Sequence, residues 1–330
     1  MRIFALTTVL TLIVSLSATA QVYFQNTMYA FNRFVYNPAA AGMAQIGMEN
    51  GVNLTLLGRQ QWLGIEGAPR LSTLFVNSPV SSLGGGIGAS LVVDQLGPLT
   101  STGLDVSYAY YLINNEESGL RLSIGVSGGF RQKALNGNWV YDTSNGEDPT
   151  LVNGNASTIV PSLGAGIYLT DAQGRFFVGL SGLDLLEPSL ENLLASNIGE
   201  ESNVDRSFYL IGGYKFNLNF GLENEMSITP TIMAKTDGIF PPQVDANVYW
   251  NYSPVTFGLG YRFFNDSFSG MLGVNVNDRT FLGYSYDYTM NALNASGDIS
   301  THEIIISYTF PSSSGVPPRD VDILDNPNKL

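Results

Sequence analysis

One histidine, His302, and no cysteine leave the chain little nucleophilic or metal chemistry to build from. Any Ser-His or metal-His centre would need that single ring, and thiolate or disulfide chemistry is excluded. The phosphate-loop and HExxH patterns do not occur. Gly84-Gly85-Gly86-Ile87-Gly88 opens a strand-like stretch rather than a helix, so it lacks the helix N-terminus that cradles phosphate. Close packing in a sheet explains it better. Carboxylates remain. Segment 185–205 holds Glu187, Glu191, Glu200 and Glu201, is flanked by Asp184 and Asp205, and contains no Lys or Arg. Such oxygens suit Ca²⁺, but the spacing fits no EF-hand and leaves calcium unsupported. Segment 132–156 sets Trp139 and Tyr141 beside Asp142, Glu147 and Asp148. Aromatics among polar residues are typical interface anchors. The expectation is a non-enzymatic chain without cofactor, with these two segments as partner-binding candidates.

Something must hold those segments. The first twenty residues place one basic residue before an apolar run, Ile3 to Leu16, and finish Ala18-Thr19-Ala20. That is a secretory signal cleaved after Ala20. The run is too short for a membrane-spanning helix, which needs about 20 apolar residues. Acidic residues outnumber basic ones 28 to 15, which argues against nucleic acid as a partner. Only 13% of residues are charged, against about 25% in soluble domains. Glycine is abundant at 36, with 18 Phe and 17 Tyr. Such an exported chain is either a secreted β-protein or an outer-membrane barrel.

Alternation decides between them. Leu120, Leu122, Ile124, Val126 and Phe130 share one face, while Arg121, Ser123, Ser127 and Arg131 share the other. The same split recurs at 102–112, 281–289 and 302–310. Period two with so polar a second face is wrong for a sandwich core and right for a wall between lipid and lumen. Fourteen strands are expected: 48–60, 69–78, 84–94, 99–112, 119–131, 157–169, 174–184, 206–217, 223–235, 241–251, 254–264, 267–275, 279–289 and 300–310. The fold class is therefore an all-β, transmembrane antiparallel β-barrel, residues 47–310. Every long connection, 132–156, 185–205 and 290–299, falls on one side. Long loops are extracellular in bacterial barrels, which puts both termini in the periplasm.

Residues 21–46 form a lead-in or lumen segment, in which Asn37-Pro38 reads as turn initiation. Residues 311–330 read as a flexible periplasmic tail. Arg121, Arg131, Asp105, Lys215, Asp245 and Asp287 are expected to face inward, lining a pore or pairing across a filled lumen. RQQWLGIEGAP, 59–69, ends the first strand and turns into the second. Its Gly64, Gly67 and Pro69 supply turn chemistry, Trp62 suits the interfacial aromatic girdle, and Arg59 is expected to face the lumen or pair with an inward acid.

Three motifs carry a family likeness. Tyr36-Asn37-Pro38-Ala39-Ala40-Ala41-Gly42, the Arg59–Pro69 stretch and Gly85–Pro98 (GGIGASLVVDQLGP) resemble, in order and spacing, segments of the PorP/SprF family of Bacteroidetes outer-membrane proteins. The matching positions are Asn37, Pro38, Gly42, Arg59, Trp62, Gly67, Pro69, Asp94, Gly97 and Pro98. Val93 stands where the family more usually has Asn. The likeness spans about residues 21–310, and the tail departs from it. It implies an outer-membrane component of the type IX secretion system and gliding machinery. The expected partners are the C-terminal domain of a secreted adhesin, which the barrel would retain at the cell surface, the periplasmic ring of the secretion apparatus, and outer-membrane lipid. The alternative is an outer-membrane diffusion channel or hydrophobic-solute transporter.

Overall fold

The computed structural model describes residues 25–43, 51–114, 119–137, 154–171, 174–190, 203–218, 226–237, 242–263, 267–290 and 299–310. The strands are β1 (Val52–Gln60), β2 (Arg70–Val80), β3 (Gly85–Leu96), β4 (Leu99–Asn114), β5 (Leu120–Gly137), β6 (Gly154–Asp171), β7 (Phe176–Leu183), β8 (Ser207–Tyr214), β9 (Phe216–Leu218), β10 (Met226–Thr236), β11 (Gln243–Tyr252), β12 (Val255–Phe263), β13 (Ser267–Asn277), β14 (Thr280–Thr289) and β15 (Ser300–Phe310). Both β8 and β9 pair with β10. They are one wall strand interrupted at Lys215, one residue beyond the level of Pro230 on β10, which has no N–H to donate. The wall thus has fourteen antiparallel strands in meander order, and β15 closes on β1 from Val52↔Phe310 to Gln60↔His302. Closure leaves no sheet edge running the length of the wall, as a strand-built membrane span requires.

Burial alternates with period two. In β15, Ile304, Ile306, Tyr308 and Phe310 are exposed to the outside while Glu303, Ile305, Ser307 and Thr309 are buried. Among the described residues no helix is long and apolar enough to cross a membrane. All fourteen expected strands are present. The largest difference is the β5–β6 hairpin, which pairs continuously from Leu120↔Asp171 to Gly137↔Gly154, well past the expected ends at 131 and 157. Each of these strands has 18 residues, about 60 Å of extended chain, so the hairpin rises above the rim that bears the long connections.

Gln25–Met43 lies inside the barrel, with nearly every residue buried. It folds as three single turns: Tyr29–Phe31, Arg33–Tyr36 and Pro38–Ala40. Gln25 meets Gln61 at the long-loop rim, whereas Met43 meets Arg121 near the short-turn rim. The segment therefore threads the lumen from end to end. The expectation that both termini sit at the short-turn rim concerns residues 1–24 and 311–330, outside the described residues. Within them, Phe310 is at the short-turn rim and Gln25 at the opposite one.

Missing side chains in the wall make room for this thread. A Cβ on Gly125 would lie 2.3 Å from Ala39 N, one on Gly166 2.2 Å from Asn37 Oδ1, and one on Gly86 2.2 Å from Ala41 O. Gly125 and Gly166 face each other across β5 and β6. A Cβ on Gly88 would press on the Phe34 ring at 2.4 Å, and Phe34 packs on Phe75. The strand-opening glycines thus serve close packing, as expected. Gly125→Val should unseat the thread, because it would meet fixed backbone rather than a movable side chain. Trypsin cleavage after Arg33 in the folded protein should then rise at least tenfold. Gly128→Val, where an added Cβ meets nothing within 4 Å, should leave cleavage at the wild-type rate.

Candidate functional site

Alternation turns Arg59 of β1, Lys235 of β10, Asp245 of β11, Arg262 of β12, Asp287 of β14 and Glu303 of β15 inward, all near the long-loop ends of their strands. Arg59 sits between two carboxylates: Nη2 donates to Asp287 Oδ2 at 2.8 Å and Nη1 to Glu303 Oε2 at 3.0 Å. Arg262 Nε donates to Asp245 Oδ1 at 2.9 Å, and Lys235 Nζ lies 3.5 Å from Asp245 Oδ2. Three cations thus face three carboxylates, and the cluster is neutral.

These groups hold the head of the thread. Glu303 accepts the backbone N–H of Thr27 (3.0 Å) and of Met28 (2.8 Å). The Thr27 hydroxyl donates to Asp287 at 2.6 Å and accepts from Arg59 at 3.0 Å. Asn247 donates to Thr27 O at 2.8 Å. Further along, Tyr29 donates to Asp245 O, and Phe31 stacks on Phe281 at 4.9 Å. Arg33 lies over the Phe177 ring at 4.2 Å and donates to Tyr168 Oη at 2.7 Å. Asn37 Oδ1 accepts Ala39 N–H at 2.9 Å, capping the Pro38–Ala40 turn. Its Nδ2 donates to Ile167 O on β6 and, at 3.4 Å, to Leu180 O on β7. The local turn expected of Asn37-Pro38 is therefore also a staple to the wall.

The other motif residues divide between the two rims. Gly42 has φ +75° and passes so close to Gly86 that a Cβ would lie 2.7 Å from its Cα. In the 61–69 turn, Trp62, Gly64 and Gly67 all have positive φ, and Gln61 N–H donates to Pro69 O at 2.9 Å. Trp62 N–H donates to Thr301 Oγ1 at 3.3 Å. Gly97 N–H donates to Gly67 O, and Pro98 O accepts from Asn136 N–H, both at 2.9 Å. Asp94 lies in the same β3–β4 hairpin, opposite Ser101. The second and third motifs thus meet at the long-loop rim, and Arg59 ties them to the thread that bears the first.

A second ion-pair group lies under the β7–β8 connection. Arg131 bridges Asp105 at 2.7 Å and Asp184 at 2.9 Å, and Ser162 donates to Asp105. Burial holds the Asp184 carboxyl above its usual range, against the pull of Arg131. Leu190 and Val204 pack on Val160, with Leu99 and Leu135 alongside, so the described ends of this connection pack on the tall β4–β6 wall. Glu187 pairs with Arg206 at 3.2 Å. Trp139, Tyr141, Asp142, Glu147, Asp148, Glu191, Glu200 and Glu201 lie outside the described residues. No group of three or more metal-binding side chains occurs among the described residues. His302 is engaged at both ring nitrogens, by Tyr284 Oη at 2.7 Å and Ser300 Oγ at 3.1 Å. Arg262, Lys235 and Glu303 were not among the expected site residues, although alternation within their strands already turns each inward.

A closed antiparallel wall, apolar outside and lined with polar groups inside, is an outer-membrane β-barrel. The family model described as type IX secretion system membrane protein PorP/SprF matches residues 18–308, and the chain belongs to that family. No curated protein sequence matches it. Similar solved structures include the Ralstonia pickettii toluene transporter TbuX, with 11% identity and a TM-score of 0.45 over 90% of this chain and 97% of that one. The CymD monoaromatic hydrocarbon channel has 12% identity and a TM-score of 0.43 over 91% and 97%. A Pseudomonas aeruginosa FadL homologue has 13% identity and a TM-score of 0.40 over 88% and 95%.

Arg59→Met leaves Asp287 and Glu303 buried without their shared cation, a change that costs about 3–5 kcal/mol. The temperature at which the barrel loses its folded migration in detergent gels should fall markedly. Arg59→Lys should fall between, because one ammonium cannot fork between two carboxylates as a guanidinium does. An unchanged transition in Arg59→Met would remove the latch from the account.

Proposed function

We propose that this barrel serves type IX secretion by retaining a secreted adhesin at the cell surface, holding the adhesin's C-terminal domain at the long-loop rim. The observation that carries this reading is the asymmetry of the two rims. At one, β4, β5 and β6 rise above the wall, and the β7–β8 connection folds against them through Leu190, Val204 and Arg131. Described connections at the other rim are tight, such as Ser253-Pro254 and Asp278-Arg279. Family membership supports the secretion role. In this reading the signal 1–20 is removed, the long-loop rim faces the exterior, and the short-turn rim and tail 311–330 face the periplasmic ring. Trp139, Tyr141, Asp142, Glu147 and Asp148 belong to the receiving surface, with Glu187, Glu191, Glu200 and Glu201. The barrel does no covalent chemistry and needs no cofactor.

A lumen packed against Gln25–Met43 supports a docking scaffold better than a diffusion channel. Deleting 138–153 and 191–202 together should release the adhesin into the medium, while the barrel stays folded in the outer membrane at wild-type abundance. Adhesin that remains on the cell would place the receiving surface elsewhere.

A further inference from the structure

Among the described residues, the tall side of the barrel leaves one strand edge open. β6 pairs with β5 along its whole length, but with β7 only from Ala165↔Gly182 to Thr170↔Phe177. β7 ends at Leu183, opposite the start of β8 at Ser207. Above that level the outer half of β6 has, among the described residues, a strand on one side only. Among the described residues, one main-chain bond reaches its other side: Leu185 N–H to Leu163 O at 2.9 Å. In an antiparallel strand the N–H and C=O of one residue point to the same neighbour, and successive residues alternate. Asn155, Ser157, Ile159 and Pro161 therefore face the open side, as Leu163 does.

Three further features define this edge. Pro161 falls in the set whose N–H would point outward from the sheet, where a missing donor breaks no existing ladder bond. No charged residue occurs from 154 to 170, so the charges that usually blunt free edges are absent. Asn155, Ser157 and Ile159 are exposed on the outer face, Ile159 by 64%. The described parts of the β7–β8 connection turn the other way: Leu190 and Val204 pack on Val160, whose side chain faces the interior.

A row of alternating N–H and C=O groups is complemented by one thing, another extended backbone. We propose that Asn155–Pro161 of β6 is completed by β-strand addition from the exported partner, and that this is how the long-loop rim grips it. The incoming segment is an uncharged strand of about seven residues, with an apolar or β-branched side chain beside Ile159. The inference rests on the retention role above and specifies its mode of contact.

Photo-cross-linking amino acids placed singly at positions 155, 157 and 159 in cells test it, followed by mass spectrometry of the joined peptides. The expected result is a ladder: the three positions join residues spaced two apart in one strand of a surface protein's C-terminal domain. Ile159→Pro removes only an edge donor and keeps the β5 ladder. It should cut cross-link yield at 155 and 157 at least tenfold, with the folded barrel at normal abundance. Full yield after Ile159→Pro, joining to a second copy of this chain, joining to its own residues 191–202, or no joining at all would each overturn the proposal. Adhesin release on deleting the loops, without an edge ladder, overturns strand addition alone. Adhesin retention after that deletion, with no ladder, overturns both readings.

Discussion

The interior of a fourteen-stranded wall is too wide for the wall's own side chains to fill. In a low-dielectric surround, every charge placed there needs a partner. Arg59 meets both demands at once. Its guanidinium neutralises Asp287 and Glu303, and those carboxylates in turn bind the hydroxyl and backbone of Thr27 and the backbone of Met28. The N-terminal segment is thereby part of the polar network, not only an apolar filler. Without it, Glu303 would lose two N–H donors inside the barrel.

The two ends of the thread are held by different physics. At the long-loop rim, charges grip Thr27 and Met28. Toward the other rim, Asn37 takes wall carbonyls, Gly166 leaves room for its side chain, and Gly86 and Gly125 let backbone lie on backbone. Two of the three family motifs serve these anchorages, with Asn37 and Gly42 at one end and Arg59 at the other. The third, ending Gly97-Pro98, locks the β3–β4 hairpin onto the turn that follows Arg59. The Arg59–Pro69 stretch, read from sequence as a turn with an inward Arg59, therefore grips the protein's own chain. The partner contact proposed above lies elsewhere, at the tall β4–β6 wall.

Most of the wall was legible in the sequence, because alternation between lipid and lumen repeats in every strand and a one-residue slip would reverse both faces. Three things were not. The β5–β6 hairpin continues beyond the membrane band with polar residues such as Gln132, Lys133 and Asn155, where the apolar half of the alternation fades. The threading direction of Gln25–Met43 depends on contacts more than two hundred residues apart in sequence, such as Met28 with Glu303. Partner choice among inward charges was equally hidden: hairpin register sets Arg262 and Lys235 beside Asp245, while barrel closure sets Arg59 opposite Glu303. Asp245 and Asp287 could be read as inward, but not as members of one neutral cluster.

Conductance of the purified full-length barrel in planar lipid bilayers tests the central claim most directly, since a latched lumen thread and an open pore cannot coexist. Silent bilayers are expected from the intact chain, and stepwise ohmic currents once residues 25–43 are deleted. Steady channel-sized currents from the intact chain would contradict it.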